Sequence, residues 1–106
     1  MKEAFIFVAR SKRIESGFQD TLVSDIKNMF PGSIVLKLDQ QQGLPDLLIL
    51  YRNKWASLEC KKESNAHKQP NQPYYVEMMN QMSFSRFIFP ENKQEVLNEL
   101  QQAFRI

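Results

Sequence analysis

Apolar residues return every four positions from Ile14 through Phe18, Leu22 and Ile26 to Phe30, with Val23 and Met29 beside them. That spacing marks one face of an amphipathic helix, and Pro31-Gly32 ends it. Ahead of it, Phe5 to Val8 reads as a short strand. Ser33 to Leu38 carries Ile34, Val35, Leu36 and Leu38, a run whose length and β-branched content predict a buried strand. Further strands are expected from about Pro45 to Tyr51 and from about Lys54 to Lys61, with Arg52-Asn53 between them at the length of a two-residue hairpin turn.

A polar stretch from Glu63 to Asn71 reads as a loop, as does Gln40-Gln41-Gln42-Gly43. Pro70 to Ser83 then predicts a helix with prolines at its start, where a missing N–H costs least. Tyr75, Met78, Met79 and Met82 fall on one face of it and read as core filling. Phe84 to Phe89 predicts a strand ended by Pro90. The last helix, Glu91 to Phe104, places Val96, Leu97, Leu100 and Phe104 on one stripe and acidic residues in its first turns. The expected order is β-α-β-β-β-α-β-α, an α/β arrangement in which helices flank a central mixed β-sheet.

Composition narrows the class. A chain of 106 residues, 42% hydrophobic and 25% charged, has the size and balance of one folded domain, expected to span residues 1–106. No stretch reaches the roughly 20 apolar residues that cross a bilayer. The apolar run at Phe5 to Val8 is too short for the core and cleavage region of a signal peptide. The single cysteine, Cys60, excludes an intramolecular disulfide and, with one histidine, excludes a cysteine-type metal cluster, which points to a reducing, cytoplasmic home. The net charge of +2 does not by itself announce a nucleic-acid binder. Its distribution is more informative: Arg10, Lys12 and Arg13 form one basic group, and Lys61, Lys62 and Lys68 another.

The hairpin sets up the chemistry. If Tyr51 pairs with Lys54, paired residue numbers add to 105, so Leu50 faces Trp55, Leu48 faces Ser57 and Asp46 faces Glu59. Alternation then puts Lys61 on the same face as Glu59 and turns Cys60 to the other face, as a small core residue. Two carboxylates across a ladder repel, more so where the local dielectric is low. A divalent cation or the Lys61 ammonium would offset that repulsion, and hard oxygen ligands completed by water are what Mg²⁺ prefers. Taken singly, the same residues also allow a plainer reading, with Asp46 serving the Pro45 turn and Glu59 and Lys61 forming a surface ion pair.

The wider string separates these readings. Gly43-Leu44-Pro45-Asp46-Leu47-Leu48-Ile49-Leu50 is followed, thirteen residues after Asp46, by Glu59-Cys60-Lys61. This resembles the PD-(D/E)XK nuclease superfamily. With Ile14-Glu15-Ser16 at a helix start and Gln72 opening the later helix, it is similar more narrowly to the VRR-NUC and phage-type Holliday junction resolvase-like nucleases. The resemblance implies a restriction-endonuclease-like core and Mg²⁺ or Mn²⁺ as cofactor, with no other small-molecule cofactor. It also implies a metal site of Asp46, Glu59 and the Cys60 backbone carbonyl, with Glu15 completing it directly or through water. Lys61 would orient or help deprotonate the attacking water, and Gln72 would hold Lys61 or a phosphate.

The expected activity is therefore metal-dependent endonucleolytic cleavage of duplex or branched DNA by a homodimer, away from any membrane, in a host cytoplasm if the chain is phage-encoded. Arg10, Lys12, Arg13, Lys62 and Lys68 are the expected nucleic-acid contacts. The competing readings are a non-cleaving nucleic-acid-binding module of the same fold, and a partner-binding protein that uses Phe5 to Val8 as an apolar patch. His67 stands alone in a polar loop and reads as a solvated side chain. Trp55, Tyr74 and Tyr75 can stack on bases, with packing as the plainer use.

Overall fold

The computed structural model describes residues 13–38, 43–69 and 71–105, with side chains from residue 17 onward. The Phe5 to Val8 strand, Arg10 and Lys12 lie outside the described residues, as do the side chains of Arg13 and Glu15.

The elements are, in order, α1 (Arg13–Met29), β1 (Ile34–Lys37), β2 (Leu47–Tyr51), β3 (Lys54–Cys60), α2 (Asn71–Met82), β4 (Phe84–Ile88), a 3-10 turn (Pro90–Asn92) and α3 (Lys93–Ala103). They form one mixed four-stranded sheet in the order β1-β2-β3-β4. The first two pairings are antiparallel and β3–β4 is parallel. A parallel pair needs a crossover, and α2 supplies it.

Side-chain alternation divides the sheet into an apolar and a polar face. Ala56, Leu58 and Cys60 join Leu47 and Ile49 in a core filled by Leu22 and Ile26 of α1, with Phe30 just after it, and by Val96, Leu97 and Leu100 of α3, with Phe104 just beyond. At the hairpin end this core closes on an aromatic trio: the Phe30, Tyr51 and Phe104 rings have centroids 5.1 to 5.7 Å apart. The opposite face of β3 presents Ser57 and Glu59 to α2. Ser57 donates to the Ser85 hydroxyl at 2.7 Å and lies 3.8 Å from the Met79 sulfur.

That division corrects two expectations. Ser33 to Leu38 does form a strand, but not a buried one: Ile34 is 55% exposed and Leu36 is exposed as well. Among the described residues β1 is the sheet edge and pairs on one side only, with β2. The Tyr75–Met82 stripe does not fill a core either. Tyr75, Met78 and Met79 are half-buried and Met82 is exposed, while Val76 is the buried residue of α2. A helix lying on hydroxyls and a carboxylate has little apolar surface to bury against.

The direction of α1 decides where Glu15 lies. Lys37 at the end of β1 is ion-paired to Asp20 at 2.9 Å, so α1 runs back along β1. Its first turn, which carries Glu15, therefore extends beyond the strand toward the end where β2 begins and β3 finishes. No described helix is long and apolar enough to cross a membrane.

Gly43 and Gly17 give a paired test of this packing. Gly43 has φ +95°, and a Cβ there would fall 2.5 Å from Asn71 Cβ and 3.3 Å from the Tyr75 ring. Gly17 lies within α1 with nothing inside 4 Å of such a Cβ. Gly43→Ala is expected to cost about 2 kcal/mol or more, from left-handed strain plus the clash. Gly17→Ala should add about 0.5–1 kcal/mol through helix propensity. Urea midpoints at unchanged m-value measure both, and a neutral Gly43→Ala would show that the loop does not pack on α2 as described.

Candidate active site

The observed hairpin register is the one the sequence implies, with Leu50 opposite Trp55, Leu48 opposite Ser57 and Leu47 opposite Leu58. One step further, at the rung of Asp46 and Glu59, β2 has ended. The reason lies in Pro45 and Asp46. In a continuing ladder Cys60 would exchange two backbone bonds with residue 45, but proline has no N–H to return. Asp46 stands in for the Pro45 carbonyl, its carboxylate Oδ2 accepting the Cys60 N–H at 2.9 Å. On its other side the Asp46 carbonyl accepts the Leu38 N–H at 2.7 Å, which fixes the residue between two strands.

The Cys60 carbonyl shares a consequence of this ending. In extended backbone the N–H and C=O of one residue point to the same side, so the carbonyl turns toward the Asp46 side, past the end of β2. Lys61 N–H points the other way and donates to the Ile88 carbonyl at 2.9 Å, which holds the end of β3 against β4. The Cys60 thiol is buried in the core, away from this edge.

Glu59 and Lys61 do not form a surface ion pair. Their side chains are 2% and 8% exposed, and the ammonium stands 3.7 Å from Glu59 Oε2, beyond direct hydrogen-bond length. Gln72 bridges the gap. Its Nε2 donates to Glu59 Oε2 at 2.6 Å, while its Oε1 accepts from Lys61 Nζ at 2.8 Å and from the Gln69 N–H at 2.8 Å. Only one orientation of the amide satisfies all three contacts, because a carboxylate only accepts and an ammonium only donates. Lys61 Nζ also donates to the His67 carbonyl at 3.2 Å.

Asp46, Glu59, Lys61 and Gln72 thus meet at one end of the sheet. Glu15 is on the helix turn that extends toward this end, its side chain outside the described residues. Of the expected nucleic-acid contacts, Lys62 is exposed, and Lys68 Nζ lies 5.1 Å from the centre of the Phe87 ring. The loop from Lys62 to Gln69 does more than connect β3 to α2: through the His67 carbonyl and the Gln69 N–H it holds both Lys61 and Gln72. These two groups are backbone atoms and leave no mark in the residue pattern. Gly43, which lets the loop before Asp46 lie against Asn71 and Tyr75, was present in the G-x-P-D string but points to this packing only once α2 is placed.

Electrostatically, a buried carboxylate and a buried ammonium are held close by a neutral amide, which bonds to one oxygen of the first and to the second without neutralising either. The donors facing the edge are hard oxygens from Asp46, Glu59 and the Cys60 carbonyl. Such a set suits Mg²⁺ or Mn²⁺ and lacks the thiolate or imidazole that would favour zinc. Among the described residues no three or more His, Cys, Asp and Glu side chains gather at metal-binding spacing, so a third carboxylate here would have to come from Glu15.

Neither a family model nor a curated protein matches the chain. Among solved structures it is similar to a VRR_NUC domain, with a TM-score of 0.64 and 26% sequence identity, over 87% of this chain and 98% of that one. The mixed four-stranded sheet with its flanking helices matches that neighbour, so the chain has the PD-(D/E)XK-type nuclease fold of a VRR_NUC domain.

Proposed function

We propose that the chain is a Mg²⁺- or Mn²⁺-dependent endonuclease that hydrolyses phosphodiester bonds in duplex or branched DNA. The observation that carries this is the cluster of Asp46, Glu59, Lys61 and Gln72 at the open end of the β2–β3 hairpin, on a nuclease-type fold. Burying Glu59 and Lys61 costs stability, and a merely structural sheet end has no use for that cost.

In this reading Asp46, Glu59 and the Cys60 carbonyl hold the cation, with Glu15 reaching it from α1 directly or through water. The cation, when bound, polarises a phosphoryl oxygen and lowers the pKa of water beside it. Lys61 contributes in two ways. Its ammonium faces the charge that builds on the phosphoryl oxygens, and it orients the water whose oxygen bonds to phosphorus as the ester P–O bond breaks. Gln72 keeps Lys61 and Glu59 at fixed separation, which preserves the geometry for attack. Arg10, Lys12, Arg13, Lys62 and Lys68 supply cations for the DNA backbone. A homodimer would present two such sites to two strands, in a reducing cytoplasm where Cys60 stays a thiol.

The direct test is incubation of the purified chain with supercoiled plasmid and with branched oligonucleotide substrates, comparing Mg²⁺, Mn²⁺ and EDTA. Cleavage in either metal and none in EDTA is expected. Binding without cleavage in any metal would instead support a non-cleaving nucleic-acid-binding module. Asp46→Ala, Glu59→Ala and Lys61→Ala should each lower the rate by roughly 10²- to 10³-fold or more while the protein stays folded. Near wild-type cleavage by any one of them removes that residue from the mechanism.

Metal should also stabilise the folded chain, by about 2.7 kcal/mol at a hundredfold excess over Kd. Melting curves with and without Mn²⁺ measure this. Asp46→Ala should lose most of the shift and Glu15→Gln part of it, whereas equal shifts in wild type and Asp46→Ala would place the cation elsewhere.

Gln72→Ala strips a partner from Glu59 and from Lys61 at once. It is expected to cost about 1–3 kcal/mol of stability and to slow cleavage. Because Gln72 contacts Glu59 directly, the metal-induced melting shift should change too. An unchanged stability and an unchanged shift would show that the amide does not bridge the pair.

A further inference from the structure

We propose that Tyr74 is a base-stacking platform, which makes the substrate of this site a nucleic acid with an unpaired base next to the cleaved phosphate. The proposal rests on the nuclease reading for where the phosphate lies, but not on turnover.

Tyr74 is one of the few large apolar side chains left open to solvent among the described residues, 57% exposed, and it lies in the first turn of α2. It is two residues beyond Gln72, whose amide holds Glu59 and Lys61. Two residues turn a helix by about 200°, so Gln72 faces the sheet while Tyr74 faces outward from the same turn. The ring is braced rather than loose: it meets Tyr75 edge to face, with centroids 5.2 Å apart and planes at 74°. Tyr75 in turn lies against Gly43, three residues before Asp46. An edge-on brace orients the ring and leaves a face of it to solvent. The platform is thereby tied to both sides of the candidate site, through Gln72 along the helix and through Tyr75 to the loop.

A nucleic-acid strand whose phosphate sits at Asp46 and Glu59 would pass the start of α2, with exposed Lys62 nearby in sequence to meet its backbone. Stacking on an aromatic ring is indifferent to base identity but needs a bare base face. In intact duplex both faces are covered by neighbouring pairs, and extracting a base costs a few kcal/mol, a cost that is small for a mismatched or already single-stranded base. Tyr74 therefore discriminates by base-pairing state and not by sequence.

The test uses the full chain and two oligonucleotide duplexes that differ only in whether one 2-aminopurine is paired or unpaired. Affinity for each is measured by fluorescence titration in Ca²⁺, and cleavage of each is then measured in Mg²⁺ and in Mn²⁺. Wild type is expected to bind the unpaired substrate more tightly and to quench its 2-aminopurine. Tyr74→Ala should reduce that preference by roughly 5- to 150-fold, the range base–aromatic stacking spans. Tyr74→Trp should keep both preference and quenching, and Tyr74→Leu should keep neither. The idea is overturned if Tyr74→Ala leaves the preference intact, if it weakens both substrates equally, if Leu serves as well as Trp, or if wild type binds neither duplex. A Tyr74-dependent preference without cleavage in any metal would sink the nuclease reading alone. Cleavage by wild type with a preference untouched by Tyr74→Ala would sink this proposal alone.

Discussion

A carboxylate taken out of water must find donors, and Glu59, almost wholly buried beneath α2, imposes that requirement on everything around it. Gln72 answers at one oxygen and Lys61 stands behind it, so α2 must begin where its first turn can place an amide over the end of β3. The amide oxygen then needs donors of its own, which brings in the Gln69 N–H and fixes the loop that leads into the helix. One buried charge thus orders a β-strand end, a loop and a helix start. The amide does this without carrying a charge of its own, and the Lys61 ammonium stands 3.7 Å from the same carboxylate oxygen.

Much of this was legible in the chain, for reasons specific to each part. The helix from Arg13 to Met29 follows from a spacing that only an amphipathic helix repeats. The hairpin register follows from a two-residue turn, because strand pairing propagates arithmetically from a fixed end. What could not be read depends on contacts between distant parts. Whether Ile34 and Leu36 are buried is decided by strand order, and among the described strands β1 lies at an edge. Whether the Met78–Met82 stripe meets a core is decided by the sheet face it covers, and that face carries Ser57, Ser85 and Glu59. The bridging role of Gln72 is similar: the family resemblance suggested a place beside Lys61, but its bond to Glu59 depends on a crossover between parallel strands.

The Pro-Asp dipeptide shows how a short string can carry structure and chemistry together. Proline ends the ladder because it has no N–H, and the aspartate after it supplies an oxygen where the ladder would have supplied a carbonyl. The same substitution of side chain for backbone turns the Cys60 carbonyl toward a carboxylate instead of a strand. A sheet that continued one more rung would have paired the Cys60 N–H and C=O with the backbone of residue 45. Oxygen donors gather here because the hairpin stops early on one strand while the other runs on to Lys61, which β4 holds through the Ile88 carbonyl.

That asymmetry also explains why the two faces of β3 differ so sharply in character. Ala56, Leu58 and Cys60 are locked into the core by α1 and α3, which gives the strand a rigid base. Rigidity on the apolar face is what permits a costly polar face: Glu59 and Lys61 cannot move apart or swing to water without shifting residues on the same strand that are packed on all sides. The lighter cover of α2, with a single buried apolar residue, Val76, has the same origin, since its underside must accommodate polar groups. Stability in this chain is therefore concentrated on one side of the sheet and polar chemistry on the other. The strand between them transmits the order of the first to the second.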